Sequence, residues 1–172
     1  MDVTITELTR NDFPLVRPWI DPALFRIFRQ PVDDGQLERL LTRGPADRPT
    51  DLGYKAVDSA GKPVALAHAV LDWANELAHV QQIVVGDEHL RRQGVGGALM
   101  RHVLAACFGH HGLHRVQLFV DEGNDAARAF YGELGFQTDG LMRDAQKIGD
   151  RFVGWYCMSL LRGEWDDKMA TP

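Results

Sequence analysis

Arg91-Arg92-Gln93-Gly94-Val95-Gly96-Gly97-Ala98-Leu99 follows the apolar run Ile83-Val84-Val85 and opens a helical pattern. Val95, Leu99, Val103 and Leu104 share one face of that helix. A strand, a glycine-bearing turn and a helix start together make an anion site. The glycines let backbone N–H groups approach a ligand with no Cβ in the way. The first helical turn carries unpaired N–H donors and a partial positive charge, so a phosphate or pyrophosphate fits there. Arg91 and Arg92 add fixed charge beside it. The stretch therefore reads as a binder of a phosphate-bearing ligand; the plainer reading is a glycine-rich helix start that only packs tightly.

A nucleoside-triphosphate loop needs Gly-Lys-Ser/Thr for the terminal phosphates and Mg²⁺. Gly96-Gly97-Ala98 stands in that place. A dinucleotide fold needs a third glycine three residues after the second, and Leu99 occupies that position. What remains is Arg-x-x-Gly-x-Gly, carried by Arg91, Gly94 and Gly96. It resembles the acetyl-CoA signature of the GNAT family of N-acetyltransferases, in which this loop wraps the pyrophosphate of the cofactor. A second stretch, Asn124-Asp125-Ala126-Ala127-Arg128-Ala129-Phe130-Tyr131-Gly132-Glu133-Leu134-Gly135-Phe136, is similar to the other signature of that family. Local physics agrees. Asn124 is a good N-cap, the alanines favour a helix with a close-packing face, and Gly135 stands at a helix C-terminus.

The resemblance covers residues 53 to 161 in order of elements and implies an α/β fold of the acyl-CoA N-acyltransferase type. The chain reads as one N-acetyltransferase domain over residues 1–172, with a core over 3–161 and an acetyl-CoA-binding half over 77–136. Strands are expected over Val3–Leu8, Leu52–Val57, Pro63–Leu71, Leu77–Val85, Arg115–Val120, Phe136–Leu141 and Arg151–Leu161. Helices are expected after Asn11, from Asp33 or Asp34 to Leu41, over Gly94–Phe108 and over Asn124–Leu134. That gives a mixed central sheet of about seven strands flanked by about four helices. By resemblance, the sheet splays open between the strand before the glycine loop and the strand after it, and the pantetheine arm enters the gap. Gly86 follows that first strand and is a candidate β-bulge.

Composition sets wider bounds. The 172 residues suit one core, and 45% hydrophobic residues is ordinary for a globular chain. No apolar run is long enough to span a membrane, and Met1-Asp2-Val3-Thr4 starts no signal-peptide pattern. The expectation is a cytoplasmic protein with no membrane partner. A net charge of −5 argues against a nucleic-acid surface and mildly favours a cationic substrate. Cys107 and Cys157 read as two buried thiols. His110, His111 and His114 lack carboxylate or thiol neighbours at ligand spacing, so no metal is expected.

The chemistry implied by the resemblance is acyl transfer from acetyl-CoA to a primary amine. By carry-over, main-chain groups of Ile83, Val84 and Val85 contact the acetyl arm, with an N–H near Val84 or Val85 serving the oxyanion. Arg91, Arg92, Gln93, Gly94, Val95, Gly96 and Gly97 hold the pyrophosphate, and Asn124, Ala127 and Phe130 flank the cofactor. Tyr131 matches the tyrosine whose hydroxyl protonates the departing sulfur. An alkyl ammonium has a pKa of roughly 10.4, so it must lose a proton before attack. The strand before the loop carries no carboxylate, which leaves His79 and Glu76 as candidate bases, with Gln81 or Gln82 able to orient a water. Trp19, Phe25, Phe28, Trp155 and Tyr156 are candidates to line the acceptor groove. Three readings stay open: a small-molecule amine acetyltransferase, a peptide or ribosomal-protein N-terminal acetyltransferase, and a CoA-binding module without turnover. Dimers are common in the family, so a homodimer is also open.

Overall fold

The computed structural model describes residues 2–28, 33–86 and 88–170, with the side chains of 21–28, 88, 169 and 170 outside that set. Seven strands form one mixed sheet: β1 (Thr4–Glu7), β2 (Asp51–Val57), β3 (Pro63–Asp72), β4 (Leu77–Val85), β5 (Arg115–Asp121), β6 (Gln137–Ile148) and β7 (Arg151–Leu161). Their order is β1-β2-β3-β4-β5-β7-β6. Among the described residues only β4 and β5 pair in parallel, and the other neighbours are antiparallel. Five helices of the described residues flank the sheet: α1 (Phe13–Phe28), α2 (Asp34–Glu38), α3 (Val95–Leu104), α4 (Asp125–Glu133) and α5 (Arg162–Ala170).

Two apolar clusters sit on opposite faces. The larger joins Val95, Leu99, Met100 and Val103 of α3 to Ala67, Ala69, Val116, Leu118 and Leu160 of the sheet. The smaller joins Val16 and Ile20 of α1 and Leu37 of α2 to Leu66 of β3. Period-2 alternation produces this split: Val116, Leu118 and Val120 of β5 are buried, while the residues between them are half-exposed.

The fold corrects the sequence reading in four places. A fifth helix, α5, follows β7 without a break, anchored by Trp165 against Phe108 (centroids 6.1 Å apart). Helix α1 runs on to Phe28, past the short segment expected. β6 runs to Ile148 rather than Leu141. The bulge lies at Gln81, because His68 pairs with Gln82 and Ala69 with Val80. Gly86 stays in register, donating its N–H to Val64 O at 2.9 Å. A glycine is needed there for another reason: a Cβ would fall 2.0 Å from Trp19 Cε2.

Candidate active site

The bulge decides what β4 can do. Before it, Ala78 and Val80 face the α3 cluster; after it, Ile83 and Val85 do, while Val84 packs against the α1–α2 cluster. One extra residue has moved the inward set from even to odd positions. The Gly86 bond to β3 fixes the backbone phase as well. By strand alternation, the N–H and C=O groups of Ile83 and Val85 turn away from β3, toward β5.

No β5 ladder meets them there. The β4–β5 pairing stops at His79–Gln117, although the strands run on to Val85 and Asp121. The sheet is therefore open between its two central strands, as the resemblance implied. Unpaired backbone groups of β4 line one edge of this gap, and an extended arm can satisfy them as an added strand would.

Beside the gap lies a cleft of about 830 Å³ lined by Ile83, Val85, Arg91, Arg92, Gly94, Gly96, Gly97 and Phe130, all expected at the cofactor. Gly94 starts α3 with φ +82°, and the first helical bond runs from Ala98 N–H to Gly94 O, leaving the N–H groups of Val95, Gly96 and Gly97 without helical partners. Arg92 also adopts positive φ, +64°, a conformation that costs a non-glycine residue roughly 1–3 kcal/mol. The loop thus holds strain beside the first-turn amides of α3. An anionic, extended cofactor such as acetyl-CoA fits: a gap for the arm, first-turn amides of α3 and two arginines for phosphates, and glycines for close approach.

The other cofactor candidates support the cleft rather than line it. Val95 is buried in the core. Gln93 Nε2 donates to His89 O at 2.7 Å. Asn124 Oδ1 caps α4 by accepting from Ala127 N at 3.1 Å, and Ala127 packs on the larger cluster. Val84 faces the opposite side. Sequence reasoning missed Leu90, Arg101, Ala126, Ala129, Glu133 and Leu134, which also line the cleft. Arg101 and Glu133 were findable, since each lies a helical repeat from a motif residue (Gly97 and Ala129). Arg101 folds back so that a Cβ on Gly97 would lie 3.4 Å from its Nη1.

Tyr131 sits on α4 between Phe130 and Phe136, with ring centroids 5.0 and 5.7 Å away. Burial pushes its phenol up to about 12, so it stays protonated across the physiological range. His79 lies at the last β4–β5 pair, edge-on to Phe119 at 4.8 Å, and burial lowers its pKa. Phe119 stacks in turn on Trp155 at 5.6 Å. Glu76 is exposed in the turn before β4, with φ +50°. Its carbonyl accepts from His114 and Arg115, and it stands about 20 Å along the strand from Ile83. The structure does not bring Glu76 to the gap. Tyr156 turns away from Trp155, to where Arg128 lies 4.2 Å over its ring. Phe25 and Phe28 lie outside the described side chains. Cys107 is buried, whereas Cys157 is only half-buried.

The sequence profile of the acetyltransferase (GNAT) family matches residues 7–136. The fold is similar to that of a Vibrio cholerae spermidine N-acetyltransferase chimera (TM-score 0.81, 21% identity, 97% and 99% of the two chains). It is also similar to a Vibrio cholerae spermidine N-acetyltransferase in complex with CoA and spermine (TM-score 0.79, 20% identity, 95% and 97%). The ribosomal-protein-S18-alanine N-acetyltransferase of Escherichia coli is a further neighbour (TM-score 0.73, 24% identity, 93% and 94%). Among the described residues, no helix is long and apolar enough to cross a membrane. With the family profile spanning both signatures, the chain belongs to the acetyltransferase (GNAT) family and is an acetyl-CoA-dependent N-acetyltransferase.

Proposed function

We propose that this enzyme, acting as one unit over residues 1–172, acetylates the primary amine of a small molecule by direct transfer while both substrates are bound. The supporting observation is that β4 borders two cavities on opposite faces. The cofactor cleft opens beside Ile83 and Val85, and a chamber of about 970 Å³ opens beside Gln81 and Gln82. Two bound substrates can therefore meet at the gap with no acyl-enzyme step.

Acetyl-CoA supplies an acetyl group activated as a thioester. In this reading Arg91, Arg92 and the first-turn amides of α3 hold its pyrophosphate. The gap-facing N–H of Ile83 or Val85 stabilises charge developing on the carbonyl oxygen. Tyr131 gives its proton to the departing sulfur. The spermidine acetyltransferases among the structural neighbours make a polyamine a natural first acceptor to try. The ribosomal-protein neighbour keeps an N-terminal peptide in the panel. A homodimer and a cytoplasmic location belong to the same reading.

The test is thiol release from acetyl-CoA with polyamines, amino sugars, amino acids and alanine-starting peptides. Release with a small amine, lowered about 100-fold or more by Tyr131→Phe with acetyl-CoA affinity unchanged, is expected for a general acid. Release with peptides alone transfers the assignment to a protein acceptor. Acetyl-CoA binding with no release from any acceptor would favour a binding module.

A further inference from the structure

The chamber beside Gln82 is a built polar site that shares no lining residue with the cofactor cleft. Its floor is Asp51 of β2, His68 of β3, and Gln81 and Gln82 of β4, and α2 with its C-terminal extension forms the wall. His68 is 6% exposed and Asp51 3%. His68 Nε2 lies 3.1 Å from Asp51 Oδ1. Asp51 Oδ2 accepts from Arg43 Nη2 at 2.8 Å and from Thr50 Oγ1 at 2.7 Å. A carboxylate facing Nε2 selects the tautomer protonated there, and Nδ1 is left as a lone-pair acceptor. Gln82 pairs with His68 across the β3–β4 ladder, in the same phase as the hydrogen-bonded Val64–Gly86 pair. The two Cα atoms of such a pair are about 5.5 Å apart and their side chains share a face. Gln82 Oε1 is buried with no hydrogen-bond partner among the described residues.

An acceptor atom buried without a donor costs roughly 1–3 kcal/mol. Such a cost is removed by a ligand that brings the donor. Here register places two acceptor-bearing side chains on one face of paired strands, and Gln82 stands one residue before Ile83, whose side chain lines the cofactor cleft. A pair of acceptors matches an ammonium, which has three N–H groups to give. His79 is the poorer candidate on geometry, because its ring is packed edge-on against Phe119 at the last β4–β5 pair.

We propose that the acceptor amine docks as its ammonium between Gln82 Oε1 and His68, and that His68, oriented by Asp51, takes the proton that must leave before attack. The inference rests on the acetyl-transfer reading above. One ammonium proton passes to His68 Nδ1 and on to water. The amine nitrogen forms the C–N bond as the thioester C–S bond breaks. A second amine proton ends on the sulfur by way of Tyr131, and the third stays on the amide. Asp51 stabilises the imidazolium while it lasts. The charged and polar groups that line the chamber with His68 include Asp51 and Arg43 on the β2 side, Asp33 and Arg39 at the two caps of α2, and the neutral Gln81 and Gln82 on β4. Burial holds the imidazole pKa below its usual 6.5 against the opposing pull of Asp51, so the base is neutral at physiological pH.

The experiment uses CoA-loaded enzyme, with spermidine, n-propylamine and an alanine-starting peptide as probes. The side-chain nitrogen signals of His68 and Gln82 are followed by NMR, and kinetics are run on His68→Asn, Asp51→Asn and Gln82→Leu. At least one probe is expected to move both signals. With that probe as acceptor, His68→Asn lowers kcat about 100-fold and removes the acid limb of the pH–rate profile. Asp51→Asn falls between it and the parent, and Gln82→Leu raises the amine KM about tenfold with the acetyl-CoA Kd within about twofold. Signals that stay still with all three probes overturn the proposal. So does His68→Asn with an intact acid limb and near-parental kcat. If His68→Asn fails to fold, the wild-type titration and Asp51→Asn decide. Failure of the parent enzyme to bind acetyl-CoA is a different result, because it breaks the cofactor reading; the NMR titration repeated without CoA then judges the amine site, and signals that stay still there overturn the proposal too.

Discussion

The two faces of β4 recognise their ligands by different means. On the α3 side the recognising groups are main-chain amides, a helix N-terminus and arginines whose charge is fixed. On the α1–α2 side they are side chains held by one another: Asp51 by Arg43 and Thr50, His68 by Asp51. The first face depends on backbone shape, so it is vulnerable at glycines. The second depends on individual polar atoms, so it is vulnerable to near-isosteric replacements that leave the shape alone. A one-residue bulge at Gln81 lets a single strand serve both.

The largest effect on folding stability should come from Gly86→Ala, at the seam between the faces. The new methyl would sit 2.0 Å from the Trp19 ring, which packs on the smaller cluster. Overpacking of this kind costs about 1–3 kcal/mol. Denaturant melts should show that loss, and the amine KM should rise more than the acetyl-CoA KM. An equal rise in both would break the division into two faces.

Gly94→Ala strikes the cofactor face. No atom lies within 4 Å of the added Cβ, so the whole effect is conformational, from φ +82°. A left-handed alanine costs roughly 1–2 kcal/mol. If the loop relaxes to escape that cost, the first-turn amides of α3 shift, and acetyl-CoA affinity should fall roughly fivefold to tenfold by calorimetry. The chemical shifts of His68 and Gln82 should not respond.

This division also explains what could be read in the sequence. The cofactor face is contiguous: Ile83 through Gly97 and Asn124 through Phe136 carry their chemistry at fixed local spacing, so motif and periodicity found it. The acceptor face draws Asp51, His68 and Gln82 from three strands, joined only by register. Asp51 reads locally as the last residue of a loop before the strand from Leu52, and His68 as one polar residue in an apolar run. The bulge that aligns Gln82 with His68 has no local signal, and simple alternation would have put Val84 rather than Val85 in the cleft. The helix α5 escaped for a related reason. Its Arg162–Ala170 sequence has little apolar periodicity, and one tryptophan against Phe108 anchors it.

Arg101→Gln sharpens the cofactor side. A cation folded back toward a helix N-terminus opposes the helix dipole, and an anion bound at that turn reverses the sign of the interaction. Among the described residues, no salt bridge or hydrogen bond ties its guanidinium down. The variant should weaken acetyl-CoA binding about threefold to tenfold at low ionic strength, with the difference shrinking as salt rises. A loss independent of salt would mean that Arg101 acts through packing.

The smallest effect is one of acidity, and it separates the faces by their titration. His68 and His79 both have pKa values lowered by burial from 6.5, while no such group is needed by the arginines of the cofactor cleft. Below pH 6.5 the unfolded chain binds protons that the folded chain refuses. Stability from these histidines is therefore full above 6.5 and is lost as the pH falls toward their folded pKa values. Asp51 works in a lower window. Burial raises its pKa, but the bonds from Arg43, Thr50 and His68 outweigh that and hold it below 3.8, so its contribution persists until the carboxylate itself is protonated. Melting temperatures should thus decline between pH 7 and 5, and more gently in His68→Asn than in the parent. Over that interval the arginines keep their charge, so acetyl-CoA affinity should change less than the melting temperature does. Parallel slopes in parent and variant would assign the acid loss to the other histidines that burial depresses, His79, His102 and His111, and would remove His68 from the titrating part of the acceptor face.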